Sequence, residues 1–160
     1  MLTFQSEGAQ FNVRVAGVAI AADCVLLHQM AGDDFWTLPG GRPGVMETAA
    51  AALRREMLEE TGLKVHVRRA MCVVENFFTY RTMSYHEILM CFEMDVPPAS
   101  VLAGQRFDGV EGAVNLTFWW CPLVRLEEVP IRPTFLCDVL RAAPGALVHI
   151  VHDDRGNLAT

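Results

Sequence analysis

The amino-acid sequence predicts an α/β fold, a mixed sheet covered by helices, built as one domain over residues 1–160. Three observations predict it. Valine-rich, partly alternating segments stand before and after one strong helix, which is the pattern of a layered sheet-and-helix domain. The helix carries signals at both ends. The chain has 160 residues, 52% of them hydrophobic, with a mean hydropathy of +0.25. That is enough apolar material for a substantial core and excludes a disordered chain.

The elements follow in order. Phe11–Ile20 alternates and is rich in valine, so it reads as a strand; Ala21-Ala22-Asp23 is a turn and Cys24–Gln29 a second strand. A loop over Ala31–Asp34 and the segment Trp36–Gly41 lead to the helix. Thr48 is its N-cap, with Glu47 beside it complementing the positive helix start. Ala49-Ala50-Ala51-Ala52-Leu53 has high helix propensity, and Ala49, Leu53 and Met57 form an apolar stripe for packing on a sheet. Gly62 ends the helix in a left-handed conformation. Val65–Phe78 and Ser84–Met94 are two long strands, paired as a hairpin around Thr79–Met83. Pro97–Gly112 reads as a loop, Asn115–Cys121 as a strand, Arg132–Ala142 as a short helix and Leu147–His152 as a last strand. Repeats, low-complexity tracts and linkers are lacking.

Composition narrows the partners. The formal net charge is −6 and Lys64 is the only lysine, so no basic cluster points to nucleic-acid wrapping or an anionic membrane surface. No apolar run is long enough to span a bilayer. Cys24, Cys72, Cys91, Cys121 and Cys137 are dispersed, odd in number and without a C-x-x-C pair. They read as reduced, mostly buried thiols of a cytoplasmic protein. The first residues, Met-Leu-Thr-Phe-Gln-Ser-Glu, lack a basic n-region, and no signal peptide is expected. The apolar surplus leaves room for a homodimer interface.

The chemistry is concentrated on the helix. Glu56, Glu59 and Glu60 stand at i, i+3 and i+4 and project from one side. Like charges at this spacing repel by roughly 0.2–0.5 kcal/mol per pair. Carboxylate oxygens are the hard ligands that Mg²⁺ and Mn²⁺ prefer, and a divalent cation would offset the repulsion. Upstream, Pro39-Gly40-Gly41-Arg42-Pro43-Gly44 forms a loop whose glycines permit close backbone approach to a ligand.

From Gly41 to Leu63 the chain reads G-x5-E-x7-R-E-U-x-E-E-x-G-U, where U is apolar and the fixed letters fall on Gly41, Glu47, Arg55, Glu56, Met57, Glu59, Glu60, Gly62 and Leu63. This resembles the Nudix box of the MutT/Nudix hydrolases at every fixed position. The resemblance implies an α/β/α sandwich and a Mg²⁺- or Mn²⁺-dependent hydrolase of a nucleoside diphosphate linked to another moiety. It implies a metal site made of Glu56, Glu59 and Glu60, with Gly40 matching the position that lends a backbone carbonyl; service to the turn alone is the competing reading of Gly40. Arg55 would orient the glutamates or contact phosphate, and Glu47 would support the loop–helix junction. One of the glutamates, Glu56 among them, or an acid from a downstream loop would act as base; Glu111 suits that position, with Asp108 behind it.

Other candidates lie on the hairpin. Tyr85, Glu87, Leu89 and Cys91 share one face by alternation, so Glu87 lines a metal pocket or faces water; Glu75 is the weaker candidate, and His86 points to the opposite face as a structural residue. Phe77, Phe78 and Tyr80 either stack on a nucleobase or pack in the core. Tyr80, seventeen residues after Leu63, resembles a tyrosine of dinucleoside polyphosphate hydrolases. The alternative to an enzyme is a Nudix-fold module that senses a nucleotide without turnover.

Overall fold

The structure is a computed structural model that describes residues 1–109, 115–141 and 145–155. Within these residues a mixed sheet runs β1 (Thr3–Ser6), β2 (Ala9–Val18), β7 (Met83–Asp95), β6 (His66–Tyr80), β10 (Val148–Asp153), and β5 (Gly40–Gly41) pairs with β2. The β2–β7 and β6–β10 pairings are parallel and the others antiparallel. A second, antiparallel sheet has the order β3 (Ile20–Ala21), β4 (Cys24–Met30), β9 (Leu116–Pro122), β8 (Arg106–Asp108).

Two apolar layers hold the sheets and helices together. In one, α1 (Ala49–Thr61) buries Ala52, Leu53 and Met57 against Val15, Leu26, Phe118 and Trp120. In the other, α2 (Leu136–Arg141) and a 3₁₀ segment at Leu123–Glu128 cover Val25, Leu27, Val74, Leu89 and Trp119. Helix α1 has the termini its sequence predicts. The Thr48 side chain accepts from the Ala51 N–H at 3.2 Å, and Gly62 at φ 73° donates its N–H to the Leu58 carbonyl.

Several expectations are corrected. The strand predicted over Phe11–Ile20 stops at Val18, because Ile20–Ala21 leaves for the second sheet and pairs with β4. Arg106–Asp108 within the expected loop Pro97–Gly112 is a strand, paired to β9. The helix expected over Arg132–Ala142 begins only at Leu136. Pro133 disfavours a helical conformation at Arg132, and its carbonyl instead accepts the Leu136 N–H. Ala142 lies outside the described residues. The hairpin turn is tighter than predicted: Arg81 and Thr82, both at positive φ, link Tyr80 directly to Met83.

Candidate active site

The loop before α1 is fixed to the sheet at two glycines. Gly40 and Gly41 pair with Ala16 and Val15 of β2. A Cβ on Gly40 would run into the Val15 carbonyl, and one on Gly41 would run into the Glu56 carboxyl group. These residues are glycine because β2 on one side and the Glu56 carboxyl on the other leave no room for a side chain. The packing sets the Glu56 turn of α1 against Gly41, where a cavity of about 440 Å³ opens. Glu56, Glu60, Gly40 and Gly41 line it on the helix side.

Arg55 organises the carboxylates. Its Nε and Nη2 donate to Glu47 at 2.9 and 3.0 Å, and Nη1 donates to Glu56 at 2.8 Å and Glu59 at 3.2 Å. Glu47 also accepts from the Gly44 N–H at 2.7 Å. The Arg55 hydrogen bonds, followed by that of Gly44, pull the Glu47 carboxyl down to about 2, and the bonds to Glu47 and then Glu56 raise the Arg55 guanidinium further. Glu47 thus pins the loop to the helix while the rest of the guanidinium fork aims Glu56 and Glu59.

Glu60 sits deeper. Burial, reinforced by the charge of Glu56 and then Glu59, pushes its carboxyl up to about 7, against the opposing charge of Arg14. Its Oε2 is buried without a partner. His28 Nδ1 is 3.9 Å away, beyond hydrogen-bond reach. Burial, then Arg14, drives His28 down to about 3. The imidazole is neutral near pH 7, so proximity does not make this an ion pair. Arg14 Nη2 approaches His28 Nε2 at 3.4 Å and donates to the Leu38 carbonyl at 3.2 Å.

The sheet supplies the cavity floor. Asn12 of β2, Glu87 of β7 and Asn76 of β6 are register partners and are all buried. Asn12 Nδ2 donates to Glu87 Oε2 at 2.7 Å, and Asn76 Nδ2 to Glu87 Oε1 at 3.2 Å. Two residues along the strands, Phe78 and Tyr85 stack with centroids 4.9 Å apart. At the rim Tyr80 donates its hydroxyl to Asp33 at 2.9 Å and meets Phe35 edge-on, with Arg132 over the Phe35 ring. Burial, then the bond to Asp33, raises the Tyr80 phenol.

The candidates from the sequence therefore distribute unevenly. Gly40, Glu56, Glu60, Phe78, Tyr80 and Glu87 line one cavity. Glu59 stands beside it on Arg55, half exposed. Glu87 does not face water; two amides hold it. Glu75 is on the other side of the sheet, 2.8 Å from His149. Phe77 packs with His86, which also meets Phe11 edge-on, so His86 has a packing role. Asp108 is in β8, and Glu111 lies outside the described residues. Sequence reasoning missed Asn12, Arg14 and His28. A polar residue inside an apolar strand is the only linear signal they give.

Hard carboxylate oxygens, one of them buried and unpaired on Glu60, match the ligand chemistry of a divalent cation. The elevated proton affinity of Glu60 comes first from its burial and then from the neighbouring Glu56 carboxylate. Among the described residues no three His, Cys, Asp or Glu side chains are already gathered in ligating arrangement.

A NUDIX domain model matches residues 11–139. A MutT-like protein of Streptomyces ambofaciens is 39% identical over 66 residues, 41% of this chain and 43% of that relative, so the match spans less than half of the relative's length. The fold is similar to that of a MutT protein from Bacillus halodurans (TM-score 0.62, 18% identity, 89% of this chain and 91% of that one). It is similar also to a NUDIX hydrolase from Nitrosomonas europaea (0.58, 21%, 89% and 79%) and to an ADP-ribose pyrophosphatase from Streptococcus suis (0.54, 18%, 88% and 98%).

Proposed function

This chain belongs to the Nudix family, and on that premise we propose that it is a divalent-metal-dependent hydrolase of a nucleoside diphosphate linked to another moiety. The observation that carries the reading is the Arg55 fork: one guanidinium fixes the loop through Glu47 and aims Glu56 and Glu59 beside the cavity that Glu60 lines. Family members generally use divalent metal ions. Glu56, Glu59, Glu60 and the Gly40 carbonyl would hold Mg²⁺ or Mn²⁺. A bound cation supplies charge neutralisation at the diphosphate oxygens and makes a water more acidic.

The chain's own residues do the rest. Arg14, Arg42 and Arg132 line the cavity and would bind the diphosphate oxygens, which this acidic protein otherwise repels. Arg55 keeps the carboxylates oriented. Glu60, its carboxyl raised to about 7, would have to give up its proton to serve as a ligand. Phe78 and Tyr80 would form an aromatic wall for the nucleoside. Glu111, from the segment before β9, is the proposed proton acceptor for the attacking water. This assignment rests on its position in the sequence.

Chromatographic detection of nucleotide products over a panel of nucleoside triphosphates, nucleotide sugars, ADP-ribose and dinucleoside polyphosphates tests the reading. Turnover of at least one of these with Mg²⁺ is expected. Tight nucleotide binding without turnover of any of them would favour a sensing module instead.

A further inference from the structure

We propose that the Asn12–Glu87–Asn76 row is a nucleobase-reading subsite and that the base it selects is guanine. The inference deepens the hydrolase reading and rests on its nucleotide substrate.

The row runs across three neighbouring strands at one register position, on the cavity floor. Its Glu87 carboxylate is only 6% exposed, and its hydrogen-bond partners among the described residues are the two asparagine amides. Two neutral donors compensate a buried carboxylate poorly. Each asparagine has turned its NH₂ toward Glu87, and each is left with an unpartnered buried Oδ1. A row that merely tied three strands together would satisfy its polar atoms internally. This one leaves both amide oxygens unpaired and borders a cavity.

The floor is made of acceptors, so the ligand it suits must donate. Among the bases, guanine alone presents two adjacent donors, N1–H and the 2-amino group, which match the two oxygens of one carboxylate. Adenine and cytosine set a ring acceptor beside their amino group, and that acceptor would meet a lone pair of Glu87. Uracil has one N–H between two carbonyls. A cavity of about 440 Å³ is within the range of small-ligand sites. Phe78 and Tyr85, two residues along the strands from Asn76 and Glu87, give a base an aromatic surface. Glu56, Glu60 and Gly40 line the same cavity from the helix side, so a base on the sheet would leave its diphosphate toward the box.

The test is calorimetric titration of the protein with nucleoside 5′-monophosphates in excess chelator. Monophosphates carry the base without a phosphoanhydride bond, so the readout is independent of turnover. GMP should bind about tenfold or more tightly than AMP, CMP or UMP, on the scale of one bidentate base contact. It should exceed by a similar factor IMP, which lacks only the 2-amino donor. In Glu87→Gln one acceptor oxygen becomes an amide NH₂, and the GMP-to-IMP ratio should fall toward one. If that variant does not fold, the comparison of GMP with IMP on the unaltered protein still decides. Equal binding of GMP and IMP, binding of AMP or UMP as tight as GMP, or an unchanged ratio in a folded Glu87→Gln would each overturn the proposal. Hydrolysis without base preference would sink the subsite and leave the hydrolase reading standing. Guanine preference without any hydrolysis would do the reverse.

Discussion

The helix side of the cavity and its sheet floor both present carboxylates, and they hold them by different means. On the helix, Glu56 and Glu59 share one guanidinium with Glu47, and three acids lie within five residues of sequence. On the floor, Glu87 has no cationic partner of that kind among the described residues; it is held by Asn12, 75 positions away, and Asn76, 11 positions away. Charge held by a flexible, partly exposed fork can rearrange around a cation. Charge locked between buried amides on three strands is preorganised and suits recognition of a fixed shape.

The largest expected effects fall on the helix side. Glu59→Gln and Glu60→Gln keep side-chain shape and remove a negative ligand. Each should lower kcat on the order of 10²–10³-fold, the scale of losing one group that stabilises transition-state charge. Melting temperature should hold or rise, because helix repulsion is relieved. If both variants turn over like the parent at saturating Mg²⁺, the helix carries no metal site. Arg55→Lys comes next. A point ammonium cannot replace the fork that reaches Glu47, Glu56 and Glu59 together. Mg²⁺ affinity by calorimetry should weaken about 10–100-fold. An unchanged affinity would mean that the fork is not what aims the carboxylates.

A pH series separates the two regions further. Glu60 has a raised proton affinity in the folded protein, so its contribution to stability is fully present below about 4.5 and is lost as pH rises through about 7. His28 is the opposite case: its contribution is present above 6.5 and is lost as pH falls through about 3. Melting temperature measured in chelator should therefore decline on the alkaline side in the parent. Glu60→Gln should flatten that alkaline limb and leave the acid limb intact. Parallel profiles for the two proteins would show that Glu60 is not the group involved. Mg²⁺ affinity should also climb as pH passes about 7, because the cation must displace the Glu60 proton.

The same contrast explains what the sequence revealed. The box, the Thr48 cap and the Gly62 stop are local patterns, and the helix they predict runs from Ala49 to Thr61. Glu47 as the loop–helix support was legible for the same reason, since its partners Gly44 and Arg55 are close in sequence. The floor was not. Asn12 and Asn76 acquire meaning only when β2, β7 and β6 pair, and His28 only when β4 brings it beside Glu60. Short strands were lost too: Gly40–Gly41 has no strand propensity and exists because β2 accepts it, and Arg106–Asp108 is a three-residue edge.

A smaller effect is expected at Glu111. Substitution with Gln should lower kcat and leave melting temperature nearly unchanged, the pattern of a group that serves as proton acceptor. Glu87→Gln should instead act through KM and base preference. If Glu87→Gln abolishes kcat and Glu111→Gln does not, the floor carboxylate is the base and the division of labour between helix and sheet is reversed.

The most direct test is hydrolysis of the best substrate from the screen, assayed in excess chelator and again after Mg²⁺ or Mn²⁺ is restored. Turnover should vanish in chelator and return with the cation, because three clustered carboxylates need a positive partner to act on an anionic substrate. Unchanged turnover in chelator would contradict the account.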